Sequence, residues 1–387
     1  MPFGCSSKPE NQGATGAHAD GAQVATAKHL ADFRDSTLPA AGVFSFITRH
    51  ETYMKIQLKQ VSFAVTAALL ATSAFAKDFT PAVVYDQAGK FDKSFNEAAY
   101  NGAERFKKEF KINYREGQIA SEAQKEQLLR NMARKDADLV VAVGFSFTQA
   151  VETVAKEFPK VKFTLIDAVA KGPNVQSIVF KEQEGSFLVG MAAAMASKTA
   201  KVGYIGGMDV PLIRAFGCGY VQGARFANKN VQVIQNMTGT TPQAFNDPAR
   251  GTELAKSQFD RGVDVVFAAA GGTGLGVLQA AKSAGKYSIG VDSNQNHLHP
   301  GSVLTSMVKR VDNAVYDTFK SGMNGTWKAE VKVMGLKEGG VDWALDANNR
   351  KLISADMEKK ISAAKTDIIN GKIKVVDYRT ANSCPVQ

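Results

Sequence analysis

The chain has 387 residues, of which 44% are hydrophobic and 22% are charged. This length and composition exclude one small domain and suit two or three globular domains with ample core. The formal net charge is +10, but the basic residues are scattered, and runs such as Arg105 to Lys108 lie beside Glu104 and Glu109 at helical spacing. A nucleic-acid binder should show a compact basic patch with aromatic residues, or a DNA-binding motif, and the sequence has neither. We therefore expect no nucleic-acid partner.

The first recognisable segment along the chain is an export signal at residues 54–76. A basic start at 54–60 precedes an apolar run at 61–70, which ends in small residues and the sequence AFA at 74–76. This order is typical of a cleaved signal peptide, and the apolar run is shorter than the span of about 20 residues that a membrane requires. We expect a mature chain, 77–387, in the periplasm. Residues 1–53 are predicted to be a non-native extension before a true start at Met54, with a disordered leader as the alternative.

From residue 79 onward, short apolar runs alternate with amphipathic stretches. The predicted strands are 81–86, 137–143, 161–167, 201–206, 231–236, 263–268 and 288–292. The predicted helices are 94–109, 123–134, 148–158, 248–261 and 274–284. Apolar runs of this length between helices are typical of parallel strands covered on both faces. The predicted fold class is α/β with parallel sheets.

These elements form two series, each near the usual size of a domain, which predict two similar lobes. The chain is expected to cross between the lobes near 179–186 and again near 300–303, so that 304–322 returns a strand and a helix to the first lobe. The first lobe would then comprise 77–182 and 303–387, including the C-terminal region, and the second lobe 183–302. The pattern of residues 327–387 is mixed and predicts no clear elements.

Polar residues and glycines follow the predicted strands. Asp86, Asp167 and Asp292 each stand at a strand end, and glycines follow other strands at 144, 206–207 and 271–272. Ligands of parallel α/β sheets bind beyond the carboxyl ends of the strands. Any single aspartate here is better explained as a helix cap or turn residue. Their recurrence over several strand ends predicts a ligand cleft.

The segment DQAGKFDKSFN, residues 86–96, follows the first strand and enters a helix. It resembles the opening of the basic membrane protein family, the purine-nucleoside-binding proteins of bacterial ABC importers. Further matches occur in the family's order along residues 80–320: GF at 144–145, LID at 165–167, EGSFLVG at 184–190, KVGYIGG at 201–207, AGGTG at 270–274, GVDS at 290–293 and TSMVK at 305–309. The sequence departs from the family at Ala88, where glycine is usual, and at Asp92, where two acids are common.

The resemblance implies a two-lobed periplasmic-binding-protein fold of type I that captures a purine nucleoside and delivers it to membrane permease subunits. Phe95 would stack on one face of the base and Phe245 on the other, with Phe216 as the alternative second ring. The remaining ligand-binding residues would be polar. Asp86 opens the motif, Asn96 and Asp167 would bind the base edge, and Asp292 and Lys309 the ribose hydroxyls. Apart from the resemblance, the glycine-rich run at 270–276 follows a strand, and this position predicts a backbone contact from Gly272 to the ribose, with a plain tight turn as the alternative.

Two other classes of function remain open from the residues. Asp86, Asp92, Asp167 and Asp292 could in principle cluster as in a nucleoside hydrolase, and a binding protein for another sugar-containing ligand is a further alternative. A sugar-responsive repressor would need an N-terminal DNA-binding domain, which residues 1–53 do not resemble. The sequence shows no known catalytic motif. We therefore predict a binding protein without catalysis, metal or cofactor.

The mature chain keeps two cysteines, Cys218 and Cys384. Spacing in sequence does not reveal whether two such cysteines approach closely enough to form a disulfide. We expect them to be unpaired.

Overall fold

The computed structural model describes residues 79–386, which form two α/β lobes. The predicted extension at 1–53 and the signal peptide at 54–76 lie outside the described residues. None of the helices formed by residues 79–386 has the length and apolar character that a membrane crossing requires.

The first sheet has six parallel strands in the order β11-β5-β4-β3-β1-β2. These strands are β1 (Pro81–Tyr85), β2 (Arg115–Gln118), β3 (Leu139–Val143), β4 (Lys162–Ile166), β5 (Val175–Phe180) and β11 (Val331–Met334). Every residue of β1 and β3 is buried, because helices cover both faces of the sheet. We call this sheet and its helices the first lobe: α1 (Phe95–Phe110), α2 (Lys125–Arg134), α3 (Thr148–Glu157) and α8 (Val311–Met323).

The second sheet also has six strands, in the order β12-β10-β9-β8-β6-β7, and only the pairing of β10 with β12 is antiparallel. Its strands are β6 (Lys201–Met208), β7 (Gln232–Gly239), β8 (Val265–Ala269), β9 (Tyr287–Asp292), β10 (Val303–Lys309) and β12 (Val341–Trp343). We call this sheet and its helices the second lobe: α4 (Glu182–Ala196), α5 (Pro211–Ala227), α6 (Pro248–Asp260), α7 (Thr273–Ser283), α9 (Ala355–Ile369) and α10 (Tyr378–Ala381). The predicted α/β fold with two parallel sheets is confirmed.

The chain crosses between the lobes three times. The first crossing lies between β5 and α4, within the predicted range 179–186. The second comes after Lys309, not near 300–303, because β10 pairs with β9 in the second sheet. Helix α8, which packs against α1, and strand β11 then belong to the first lobe. The third crossing, between β11 and β12, was not predicted.

From β12 onward the C-terminal region belongs to the second lobe, whereas the prediction placed all of 303–387 in the first. Helix α9 packs on α4, and α10 packs on α5. Cys384 forms a disulfide with Cys218 of α5, with a Cα–Cα distance of 5.5 Å. The expectation of unpaired cysteines is therefore wrong: the two residues are 166 positions apart in sequence, but the fold brings the end of the chain back to α5.

Candidate functional site

A cavity lies between the lobes, where the carboxyl ends of both sheets meet. It encloses about 60 Å³, room for a few water molecules at roughly 10–15 Å³ each. Its walls come from both lobes and combine aromatic rings, aliphatic side chains, carboxylates and one lysine. The residues that line it are Asp86, Ala88, Asp92, Phe95, Gly144, Phe145, Asp167, Leu212, Ile213, Phe216, Phe245, Ala269, Gly271, Val291, Asp292 and Lys309.

The loop between β1 and α1 carries two carboxyl groups, of which Asp92 is buried and Asp86 is partly buried. The side chain of Asp92 accepts hydrogen bonds from the backbone N–H groups of Ser94 (2.8 Å), Asn96 (3.0 Å) and Glu97 (3.1 Å), and so satisfies the free donors at the start of α1. Asp86 accepts from the Asn96 side-chain amide at 2.7 Å and from the Ala88 N–H at 3.0 Å. These bonds fix the first wall of the cavity.

Both carboxyl groups of this loop have raised pKa values. Burial raises the pKa of Asp92 to about 7, although its backbone hydrogen bonds partly oppose the shift and the nearby Asp86 adds to it. Burial also raises the pKa of Asp86, against the hydrogen bond from Asn96. A carboxyl group that is costly to ionise in the protein gains from a ligand that donates a hydrogen bond to it.

Aromatic rings reach the cavity from opposite lobes. Phe95, at the start of α1, and Phe145 come from the first lobe, whereas Phe216 of α5 and Phe245 come from the second. The rings of Phe145 and Phe245 meet edge to face across the cleft, with centroids 6.4 Å apart. The ring of Phe245 lies directly over Gly207, where a Cβ atom would come within 2.2 Å of the Phe245 Cε1 atom.

Four ionisable side chains meet on the opposite wall. The Lys309 amine at the end of β10 lies 2.5 Å from the Asp167 carboxylate and 3.2 Å from that of Glu182. It also stands over the rings of Phe95, Phe180 and Phe216, at 5.0–5.4 Å from their centroids. The hydroxyl of Ser94 donates to Asp292 at 2.6 Å, which joins the first lobe to the second.

The charges of this cluster depend on one another. Burial by itself would lower the pKa of Lys309, but Asp167, Glu182 and Asp292 outweigh it and hold the pKa above its usual value, so the amine is charged at neutral pH. Burial raises the pKa values of Asp167 and Asp292, while Lys309 opposes both shifts. Lys309 is therefore a shared cation for several acids.

Asp167 and Asp292 have an uncommon backbone conformation. Their φ angles are 76° and 62°, in the left-handed region that costs most residues energy and that aspartate tolerates better than others. Both residues end a strand, so the turn of the chain directs each carboxylate to the cleft instead of continuing along the sheet. Backbone strain of this kind is concentrated at functional sites.

The structure brings six of the eight predicted ligand-binding residues to the cavity: Asp86, Phe95, Asp167, Phe245, Asp292 and Lys309. The other two stand behind its wall. The Asn96 amide is directed to Asp86, and its side-chain oxygen is buried without a hydrogen-bond partner among residues 79–386. Gly272 packs against the Phe245 carbonyl and the Asp92 side chain, and the cavity is lined by its neighbour Gly271 instead.

Sequence reasoning missed several residues of the site. Glu182 comes two residues after the end of β5, so the rule that placed aspartates at strand ends could also have found it. Leu212 and Ile213 belong to a helix that was not predicted, and Phe216 was only the alternative second ring. Within the described part of the chain, no group of three or more histidine, cysteine, aspartate or glutamate side chains could hold a metal ion.

Two α/β lobes with a cleft at their strand ends form the fold of the type I periplasmic solute-binding proteins. The chain belongs to the Bmp family, the PnrA-like substrate-binding proteins of ABC transporters, whose sequence model matches residues 79–378. The family predicted from the sequence is confirmed, and it is a family of binding proteins, not of enzymes. Membership implies a small-molecule ligand and permease partners.

Similar proteins and a similar solved structure agree with this assignment. The chain is 33% identical over 321 residues to the "ABC transporter nucleoside-binding protein BmpA" of Lactococcus lactis subsp. cremoris, covering 77% of this chain and 89% of that protein. It is 34% identical over 295 residues to "Basic membrane protein A" of Borreliella burgdorferi, covering 73% of this chain and 84% of that protein. Among solved structures, an ABC transporter solute-binding protein from Aeropyrum pernix K1 matches with a TM-score of 0.71 and 31% identity, covering 77% of this chain and 93% of the other.

Proposed function

We propose that this protein captures a purine nucleoside between its lobes in the periplasm and delivers it to an ABC importer. The observation that carries the proposal is that aromatic rings from both lobes, Phe95 and Phe245, line the same cavity as Asp292 and Lys309. A purine has two apolar faces that stack on such rings, and a ribose has hydroxyl groups that donate to a carboxylate and accept from an ammonium group. The name of the Lactococcus relative agrees with this ligand class.

In the proposed complex the base and the sugar meet different walls. Phe95 and Phe245 stack on the base, and Asp86 and Asp167 accept hydrogen bonds from its N–H groups. Asp292 accepts from the ribose hydroxyls and Lys309 donates to them. Asn96 acts indirectly by holding Asp86, and the backbone near Gly272 shapes the wall beside Phe245.

Delivery from the periplasm is supported by two separate observations. The sequence of residues 54–76 has the order of a cleaved signal peptide. The Cys218–Cys384 disulfide is of a kind that persists in oxidising compartments such as the periplasm.

The test removes, in two separate variants, the aromatic ring that would stack on the base and the carboxylate that would bind the ribose. Phe95→Ala should weaken the binding of guanosine, inosine and adenosine to the same extent, because stacking contributes about 1–3 kcal/mol for any base. Asp292→Ala should weaken the binding of nucleosides but leave the binding of free bases unchanged, because free bases lack the ribose hydroxyls. A hydrogen bond to a charged group contributes about 1.5–3 kcal/mol. Calorimetric titration measures both effects, and urea unfolding of each variant controls for misfolding. Two folded variants that bind all three nucleosides like the parent would locate the site elsewhere.

A further inference from the structure

The C-terminal segment is fastened to the second lobe beside the first crossing. The disulfide ties Cys384 to Cys218 of α5. Four residues along the same helix, the side chain of Gln222 donates to the Val376 carbonyl at 3.0 Å and accepts from the Val376 N–H at 2.9 Å. These two attachments bracket α10, the short helix that carries Arg379.

Arg379 bridges the start and the end of the first crossing. Its guanidinium donates to the carbonyl of Phe180, the last residue of β5 in the first lobe, at 2.8 Å. It also lies 2.9 Å from the carboxylate of Glu182, the first residue of α4 in the second lobe. Asp377 accepts from the guanidinium at 2.8 Å and orients it. The arginine side chain is 25% exposed, whereas Glu182 is fully buried.

Glu182 connects this arginine to the cavity. The cations within ion-pair distance of its carboxylate, among residues 79–386, are Arg379 and Lys309. Lys309, with 2% of its side chain exposed, also contacts Asp167 in the cavity wall. Because a buried carboxylate is costly unless its charge is offset, removing Arg379 would leave Lys309 as the sole counter-charge for Glu182 in this network.

We infer that Arg379 is a positioning residue for the ligand site: held by the disulfide-bound C-terminal segment, it offsets Glu182 and thereby leaves Lys309 directed at Asp167 and the cavity. Without the arginine, Glu182 draws the Lys309 amine toward itself and away from the cleft. This inference deepens the proposed function and rests on it wherever a nucleoside is the probe. It adds a residue that lines no part of the cavity.

The first arm of the experiment measures guanosine affinity by calorimetry in the parent and in Arg379→Met, Arg379→Lys and the double variant E182Q/R379M. At pH 8, Arg379→Met should weaken binding roughly 2- to 30-fold, the range for residues that act without touching the ligand. Arg379→Lys should recover most of the affinity. The double variant should recover it too, because glutamine leaves no charge to offset. An Arg379→Met variant that binds guanosine like the parent overturns the inference.

The pH dependence separates charge offset from a merely structural role. The charged groups that face Glu182 are Lys309, Arg379, Asp167 and Asp292. Burial already raises the pKa of Glu182, and loss of Arg379 raises it further, so the glutamate protonates as the pH falls and releases Lys309. The affinity deficit of Arg379→Met, measured in a series of decreasing pH, should therefore shrink as Glu182 becomes protonated. A deficit that stays constant down to the lowest pH at which the parent is folded and binds guanosine contradicts charge offset.

A second arm needs no ligand. In protein labelled with ¹⁵N-lysine, the Lys309 ammonium signal is identified by its loss in Lys309→Met. It should shift in Arg379→Met and return in Arg379→Lys, and an unchanged signal overturns the inference. If the parent binds no guanosine, the proposed function fails and this arm alone decides the role of Arg379.

Discussion

Asp92 is a single residue in which burial and hydrogen bonding oppose each other. Its carboxylate caps α1 through three backbone N–H groups, which favour the ionised form, yet burial prevails and raises its pKa to about 7. The unfolded chain has the ordinary aspartate pKa of about 3.9. The difference makes the stability of the protein depend on the protonation of this one side chain.

The direction of this dependence follows from proton counting. Below about pH 4, Asp92 is protonated in both states, and above about pH 7 it is ionised in both. Between these values the unfolded chain releases a proton that the folded protein retains, so the free energy of unfolding falls as the pH rises. The difference in this free energy, parent minus Asp92→Asn, should therefore fall from pH 4 to pH 7 and then level off.

Urea unfolding across pH 4–8 measures that difference. Asp356→Asn is the control, because Asp356 is also an acid in the first turn of a helix but is exposed to solvent. This variant should show no comparable slope. A parent-minus-Asp92→Asn difference that stays constant from pH 4 to 7 would contradict a raised pKa at Asp92.

Individual site residues were predictable where a strand ends in an informative residue. Asp86, Asp167 and Asp292 stand at such ends, and the family resemblance added Phe95 and Lys309. The sequence could not show which polar side-chain atoms form hydrogen bonds within the protein and which stay free to contact a ligand. The Asn96 amide, predicted to bind the base, donates to Asp86 in this structure. That hydrogen bond depends on side-chain positions set by the packing of α1 against the sheet.

At the scale of elements, neighbouring helices approach one another through glycines. In the contact between α4 and α5, a Cβ atom at Gly190 would lie 2.2 Å from the Tyr220 carbonyl oxygen, and one at Gly223 would lie 1.9 Å from that of Phe187. In the contact between α1 and α8, a Cβ atom at Gly102 would likewise lie 2.2 Å from the Asp312 carbonyl oxygen. Backbone packs on backbone at these points, so neither side can yield by changing a rotamer.

Gly223→Ala should therefore destabilise the protein by about 1–3 kcal/mol or more, the usual cost of overpacking a core. The matched control is Gly117→Ala, where a Cβ atom would meet the flexible side-chain ends of Met132 and Leu128 at 2.8–2.9 Å. Urea unfolding compares the two. A Gly223→Ala variant as stable as Gly117→Ala would show that α4 and α5 can separate at little cost.

Element types were predictable, but their assignment to lobes was less so. The long strands and helices that were predicted have bounds within a few residues of the observed ones. Strand β5 and helices α4 and α5 were not predicted, and α4 is buried on nearly all sides, so it lacks an amphipathic pattern. The strand Val303–Lys309 was assigned to the wrong lobe, because apolar periodicity does not encode which edge of which sheet a strand joins. The short strands Val331–Met334 and Val341–Trp343 carry too few residues for a pattern.

At the scale of the whole molecule, the lobes are connected by bonds beside the cleft as well as by the three crossings. The Ser94 hydroxyl donates to Asp292, the Ser293 hydroxyl donates to the Ser94 carbonyl at 2.8 Å, and the Gln295 amide donates to the Lys93 carbonyl at 2.8 Å. Each bond joins the residues just before α1 to the end of β9 or to the segment after it. They add to a hydrophobic core cluster that includes residues of both lobes.

We expect ligand entry to involve motion of the lobes. A cavity of about 60 Å³ is smaller than the cavity of about 150 Å³ that holds benzene in another protein, so we expect a nucleoside to enter when the two lobes separate. The three crossings are the points about which such a hinge can turn. A ligand that contacts both walls then favours the closed arrangement, because it binds that arrangement more tightly than the open one.

Small-angle X-ray scattering should show a smaller radius of gyration when guanosine is added to the mature protein. Cytidine, if calorimetry shows that it does not bind, is the matched control and should leave the radius unchanged. Calorimetric binding of guanosine without any compaction at saturation would contradict closure by a hinge.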